Sequence, residues 1–165
     1  MPIHKERRNL PYRAEDMFAL VAAVDSYPEF LPWCRGARIR ERTATEIVAD
    51  LLIGFRMFRE RFTSRVHLDR PNLRIGVAYS EGPFRYLRNH WAFVETGPHS
   101  CEVDFYVEFE FRNRLLQKAI EALFSEAVRR MVQAFEDRAA ELYGPGMDRA
   151  GGPLPAAQTG STPGG

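Results

Sequence analysis

Residues 101–143 constrain the fold more than any other stretch, because a strand with one dry face runs directly into a helix with one dry stripe. Cys101, Val103, Phe105, Val107, Phe109 and Phe111 alternate with Glu102, Asp104, Tyr106, Glu108 and Glu110, the period of two that marks a half-buried strand. From Asn113 onward the apolar positions switch to three-and-four spacing: Leu116, Ile120, Leu123, Phe124, Ala127, Val128, Met131, Phe135, Ala139 and Leu142, one face of a helix. Asn113 suits an N-cap and Gly144 a C-cap, which predicts a single helix over 113–143. Neither dry face can stay in water. The helix is the only long apolar partner in the chain, so it must lie across the sheet.

Period two recurs upstream in Ile47 to Phe55, Phe62 to Leu68 and Leu73 to Tyr79. Further strands are expected at His4 to Leu10, at Arg38 to Arg42 and through Leu87, Trp91 and Phe93. The links are short and turn-like, such as Asp69-Arg70-Pro71-Asn72 and Glu81-Gly82-Pro83, so the roughly seven strands should pair antiparallel. Short helices are expected near Ala14 to Val24 and Tyr27 to Trp33. The class is α+β, with a curved sheet wrapped around the long C-terminal helix, and such a sheet fills poorly at its open end and leaves an apolar pocket. At 165 residues the chain suits one folded domain over 1–143. Residues 144–165 hold seven glycines and four prolines, the composition of a disordered tail.

Few kinds of chemistry are encoded. His4, His67, His90 and His99 lie in separate segments with no metal-type spacing, so no metal is expected. No phosphate-cradling, dinucleotide or nucleophile-elbow motif occurs. Cys34 and Cys101 are too far apart for a metal knuckle and read as buried, reduced thiols. The longest apolar run, Met17 to Val24, is far short of a membrane span, and the N-terminal segment lacks an apolar signal; a cytosolic location is expected. Net charge is +1, yet Arg56 to Val94 carries eight arginines against Glu60, Asp69 and Glu81. That block could face anionic lipid or RNA, or pair across strands with the acidic residues after Glu95. No DNA partner is expected.

Three segments are candidates for a pocket. Tyr27-Pro28-Glu29-Phe30-Leu31-Pro32-Trp33-Cys34 packs large apolar side chains between two prolines. Gly82-Pro83-Phe84 leads into the aromatic strand of Leu87, Trp91 and Phe93. Gly54-Phe55-Arg56-Met57-Phe58-Arg59 mixes arginines with apolar residues, as a pocket rim or membrane-surface loop would, or a bulged strand.

YPEFLPWC, VADLLIGF, ERFTSR, EGPFRYLRNHWAF, CEVDFYVEFEFRNRLL and MVQAFEDRA stand in an order and spacing that resembles the coenzyme Q-binding Coq10 family, a branch of the START-like, polyketide cyclase-related superfamily. The resemblance covers Ile3 to about Tyr143. It implies a helix-grip fold with a hydrophobic cavity between sheet and C-terminal helix. It also implies non-catalytic binding and delivery of ubiquinone, or a related polyisoprenoid lipid, in support of cellular respiration at the inner membrane. Ubiquinone would be a bound ligand, and no catalytic cofactor is expected. Bacterial members are also labelled ribosome association toxin A, which makes a ribosome-binding regulator the alternative.

Strand parity and helix phase place Phe30, Trp33, Phe55, Phe84, Trp91, Phe105, Phe109, Val128, Met131 and Phe135 as candidate lipid contacts. Phe84 and Trp91 have opposite parity and can share a face only across a bulge. Arg56, Met57, Phe58 and Arg59 are the candidate membrane-docking residues. Related cyclases place acid–base groups in the pocket, whereas the inward positions here are almost wholly apolar, so no catalysis is expected.

Overall fold

The computed structural model describes residues 3–55 and 58–144. The expected 144–165 tail, apart from Gly144, lies outside the described residues. Seven strands form one antiparallel sheet: β1 (Ile3–Leu10), β2 (Cys34–Arg42), β3 (Glu46–Phe55), β4 (Phe58–Asp69), β5 (Arg74–Glu81), β6 (Phe84–Gly97) and β7 (Ser100–Phe111). Their order is β1-β7-β6-β5-β4-β3-β2. The chain therefore meanders from β2 to β7, and β1 closes the sheet beside β7. Helix α1 (Ala14–Ala22) and helix α2 (Arg114–Tyr143) lie against its inner face.

The α1 region ends earlier than its apolar run predicts. Beyond Ala22 the chain tightens into a 3-10 helix, Val24–Glu29, carrying Pro28. The short helix expected over 27–33 is thus displaced toward the N-terminus. Pro28 removes an amide donor, and Pro32 disfavours helical geometry at Leu31, so a regular helix cannot pass through this segment.

Helix α2 matches its caps for two different reasons. The Asn113 side chain accepts hydrogen bonds from the Leu115 and Leu116 amides at 2.9 and 3.1 Å, satisfying donors that have no partner inside the helix. Gly144 is extended rather than left-handed, and its amide donates to the Ala140 carbonyl at 3.0 Å. A β-carbon there would come within 2.3 Å of that same oxygen. Close approach selects glycine at this end, not positive φ.

The core is lopsided. Of the buried residues of α2, Phe135 and Ala139 belong to its C-terminal half and Val128 stands at its midpoint. In the N-terminal half Leu115 is 81% exposed, and Ile120, Leu123 and Phe124 are half-buried. At the opposite end α1 seals the sheet, with Phe18 edge-on to Phe93 at 6.0 Å. One end of the sheet is plugged and the other is loosely covered.

Candidate functional site

An apolar cavity of about 250 Å³ lies between the inner face of the sheet and α2. Along it α2 contributes the buried Val128 and Phe135 and the half-buried Ile120, Leu123, Phe124, Ala127 and Met131.

The aromatic floor comes from β6 and β7. Trp91 pairs with Phe105 and Leu87 with Phe109 across the ladder, so their side chains share the inner face. Between Phe84 and Tyr86 the register shifts by one residue. That bulge turns Phe84 inward despite its parity, and Phe84 stacks on Phe111 at 4.7 Å and meets Phe109, Phe62 and Tyr79 edge-on. The preceding turn depends on Gly82, whose φ of +144° is open to glycine and whose β-carbon would strike Phe62 at 2.6 Å.

Of the sequence candidates, Trp33, Phe84, Trp91, Phe105, Phe109, Val128, Met131 and Phe135 line the cavity. Phe30 does not. Its ring packs edge-on to Phe135 at 5.3 Å and to Tyr27 at 6.0 Å, one layer behind the wall, because the 3-10 helix ends at Glu29 and turns the following residue aside. Arg56, Met57 and the side chains of Phe55 and Phe58 lie outside the described residues. Backbone pairing continues regularly through Gly54 with Arg59 and Phe55 with Phe58. Gly54 thus marks the approach to a hairpin rather than a bulge.

Other wall residues were not among the named lipid contacts, though Leu31 belongs to a segment the sequence marks as a pocket candidate. Val21, Val24 and Leu31 close the end beside α1, and Ile120, Leu123 and Phe124 cover the loose end from α2. The helical period had already placed the last three on the apolar face. Ser64 and Asn89 are the unexpected members, each a polar residue at an inward position among apolar neighbours.

No Asp, Glu, His, Lys or Arg is among the described lining residues. The Tyr27 hydroxyl donates to the Val21 carbonyl, and burial drives its pKa upward; it is a structural phenol rather than a proton donor to a ligand. The Asn89 side chain donates to the Tyr106 carbonyl at 2.9 Å and accepts from the Trp91 indole at 3.1 Å. Among the described residues no cluster of three metal-type ligands occurs. Both thiols are buried, and burial raises their pKa values, that of Cys101 to about 11. Neither is poised as a nucleophile.

Charged groups of β3, β4, β6 and β7 lie on the outer face, whereas Glu6 and Arg8 of β1 pair in register with the inward Phe105 and Val103, and Arg8 bonds Glu136 of α2 at that edge. Asp50 on β3 accepts from the Thr63 hydroxyl at 2.6 Å and from Arg40 at 2.8 Å; those bonds, the Thr63 one foremost, hold its pKa below the ordinary carboxylate value. Glu108 on β7 accepts from Tyr106 and Tyr86, and its pKa is lowered chiefly by the Tyr106 hydroxyl. Several arginines of the basic block pair across strands, Arg65 with Glu46, Arg85 with Glu110 and Arg88 with Glu108. Arg59 and Arg61 are exposed on β4. No described helix is long and apolar enough to cross a membrane.

Known proteins share this arrangement. Residues 10–136 match the sequence profile of the family described as polyketide cyclase / dehydrase and lipid transport. The chain is 38% identical over 143 residues to the ribosome association toxin RatA of Escherichia coli K12, covering 87% of this chain and 90% of that protein. It is 31% identical over 137 residues to the mitochondrial coenzyme Q-binding protein COQ10 of Drosophila melanogaster, covering 81% of this chain and 57% of that protein. Among solved structures, the Zhui aromatase/cyclase from Streptomyces sp. R1128 superposes with a TM-score of 0.78 at 16% identity over 92% of this chain and 98% of that one, a likeness of fold. The chain belongs to the polyketide cyclase / dehydrase and lipid transport family, alongside the RatA and Coq10 proteins.

Proposed function

We propose that this protein is a non-catalytic carrier that holds ubiquinone or a related prenylated lipid in the cavity between sheet and α2, delivering it at the inner-membrane surface in support of respiration. The observation that carries this reading is the wall itself: aromatic and aliphatic apart from Ser64 and Asn89, with no ionisable acid–base pair among its described lining residues that could move a proton. Each buried methylene is worth about 0.8 kcal/mol, so two or three prenyl units supply enough transfer energy to compete in part with a bilayer. A charged ligand gains nothing from such walls. The name of the Drosophila relative supports the choice of ligand.

Membrane docking falls to Arg56, Met57, Phe58 and Arg59, the stretch of sequence in which β3 ends and β4 begins. Each arginine near an anionic surface adds about 1 kcal/mol. The exposed Arg59 and Arg61 extend that positive charge along β4.

A second reading is favoured by the name of the Escherichia coli relative: a regulator that contacts the large ribosomal subunit, using the arginines from Arg56 to Arg88 on RNA phosphates. One experiment separates the two. Protein purified from its own host is extracted with organic solvent and analysed by mass spectrometry, in parallel with salt-dependent co-sedimentation with ribosomal subunits. Near-stoichiometric quinone supports the carrier. An empty interior with salt-sensitive sedimentation, lost in an Arg56→Glu/Arg59→Glu double variant, supports the regulator.

A further inference from the structure

The cavity contains two polar positions that apolar packing does not explain. Ser64 on β4 is 1% exposed, lines the cavity, and makes no side-chain hydrogen bond with another described residue. It occupies an inward position between Phe62 and Val66, flanked across the sheet by Ala49 and Tyr79. A buried hydroxyl without a partner is unfavourable in a folded protein unless something else satisfies it.

Asn89 on β6 is the complement. Its amide is held in one orientation by the bonds to the Tyr106 carbonyl and the Trp91 indole. Those two bonds use one N–H and one lone pair. The second N–H remains available, on a residue that lines the same cavity.

Strand β5 separates the two, Ser64 pairing with Tyr79 and Asn89 with Val77. Two strand spacings and one step of two residues put their Cα atoms on the order of 12 Å apart on a flat sheet, and concave curvature brings the inward side chains closer. A six-membered ring with oxygens on opposite edges, taking a hydrogen bond of about 2.9 Å at each side, spans a gap of that order.

We infer that Ser64 and Asn89 form an internal anchor for an oxygen-bearing ring, so that the cavity selects lipids with a carbonyl-bearing ring head over plain isoprenoid hydrocarbon. The inference rests on the lipid-carrier reading above and adds to it the orientation of the ligand. The head enters the protein and the tail follows along the aromatic wall. The Ser64 hydroxyl donates to one ring oxygen, and the free Asn89 N–H donates to the other. A hydrocarbon in the same place leaves both groups without partners.

The test compares two probes on the full chain: a ubiquinone with a two-unit prenyl tail, and the geranyl hydrocarbon lacking the ring. Affinities are read by displacement of a polarity-sensitive apolar dye. Wild type is expected to prefer the quinone by tenfold or so, and Ser64→Ala to weaken the quinone by about 3- to 10-fold while leaving the hydrocarbon unchanged. Asn89→Leu should narrow the preference in the same direction. Ser64→Ala removes a single unpartnered oxygen and remains decisive where the Asn89 variant loses stability with the Trp91 indole bond. Equal affinity for both probes, unaltered by Ser64→Ala, overturns the anchor and leaves the carrier reading standing. Failure of wild type to bind either probe overturns the carrier reading and the anchor with it.

Discussion

The guanidinium of Arg138 lies 5.3 Å above the ring of Phe30 while donating to Glu29 at 2.7 Å, tying the proline-broken segment to the C-terminal half of α2. Phe30 in turn packs on Phe135, a wall of the cavity. Arg138→Ala removes a cation–π contact and a partly exposed ion pair, and stability should fall by about 1–2 kcal/mol. Urea unfolding measures the loss, and hydrogen exchange should rise at residues 24–33. Unchanged exchange in that segment would refute the tie.

Trp91 is both wall and support. Its ring lies 4.5 Å from Phe105 and 5.3 Å from Phe135, and its indole holds the Asn89 amide. Trp91→Ala should cost about 3–5 kcal/mol by thermal or chemical denaturation. A smaller cost joined to lost lipid binding would identify Trp91 as a ligand contact more than a core residue.

Filling the cavity separates binding from folding. Ala127 lines it from α2 and is half-buried, so Ala127→Trp projects an indole into existing space. Ligand recovered by organic extraction should drop about tenfold or more, with the melting temperature held within a few degrees, since overpacking costs about 1–3 kcal/mol only where no space exists. Full retention of quinone in a folded Ala127→Trp protein would place the ligand elsewhere.

Asp50 makes stability depend on acid. Its pKa is depressed below the ordinary 3.8 by the Thr63 hydroxyl and Arg40. The unfolded chain therefore takes up a proton first as pH falls. The contribution is complete above that ordinary value and disappears as pH drops through the lower folded one. Asp50→Asn should cost about 1–3 kcal/mol at pH 7 and flatten the pH profile of urea midpoints in the acid range. An identical profile in the variant would refute this role.

Cys34 and Cys101 should be silent toward thiol reagents at pH 8 in the folded protein. Both are buried, with pKa values raised by desolvation. Both should react fully once the protein is unfolded in guanidinium. Rapid labelling of either in native conditions would contradict the packing.

Much of this was legible in the chain itself. Alternation from Cys101 to Phe111 and the helical stripe after Asn113 are local patterns, and local patterns specify which face is dry. That is why β7, α2, its Asn113 cap and the inward aromatics can be read directly. The Phe84 and Trp91 parity conflict was legible as a required bulge, because the period of two admits no other remedy.

Other features depend on where elements meet. Phe30 sits behind the wall because the 3-10 helix ends at Glu29, a consequence of two prolines acting within a packed corner. Ser64 reads as an ordinary variation in a strand until β3, β5 and α2 surround it and leave its hydroxyl facing a void. Asn89 is likewise just a polar residue in an aromatic strand until Trp91 and the Tyr106 carbonyl hold its amide. The amino-acid sequence by itself determined the elements, their dry faces and the apolar character of the interior, since these follow from side-chain spacing along one strand or helix. Only the tertiary structure decided where that interior stays unfilled and which polar groups face it, because a cavity is set by the distance between elements remote in the chain.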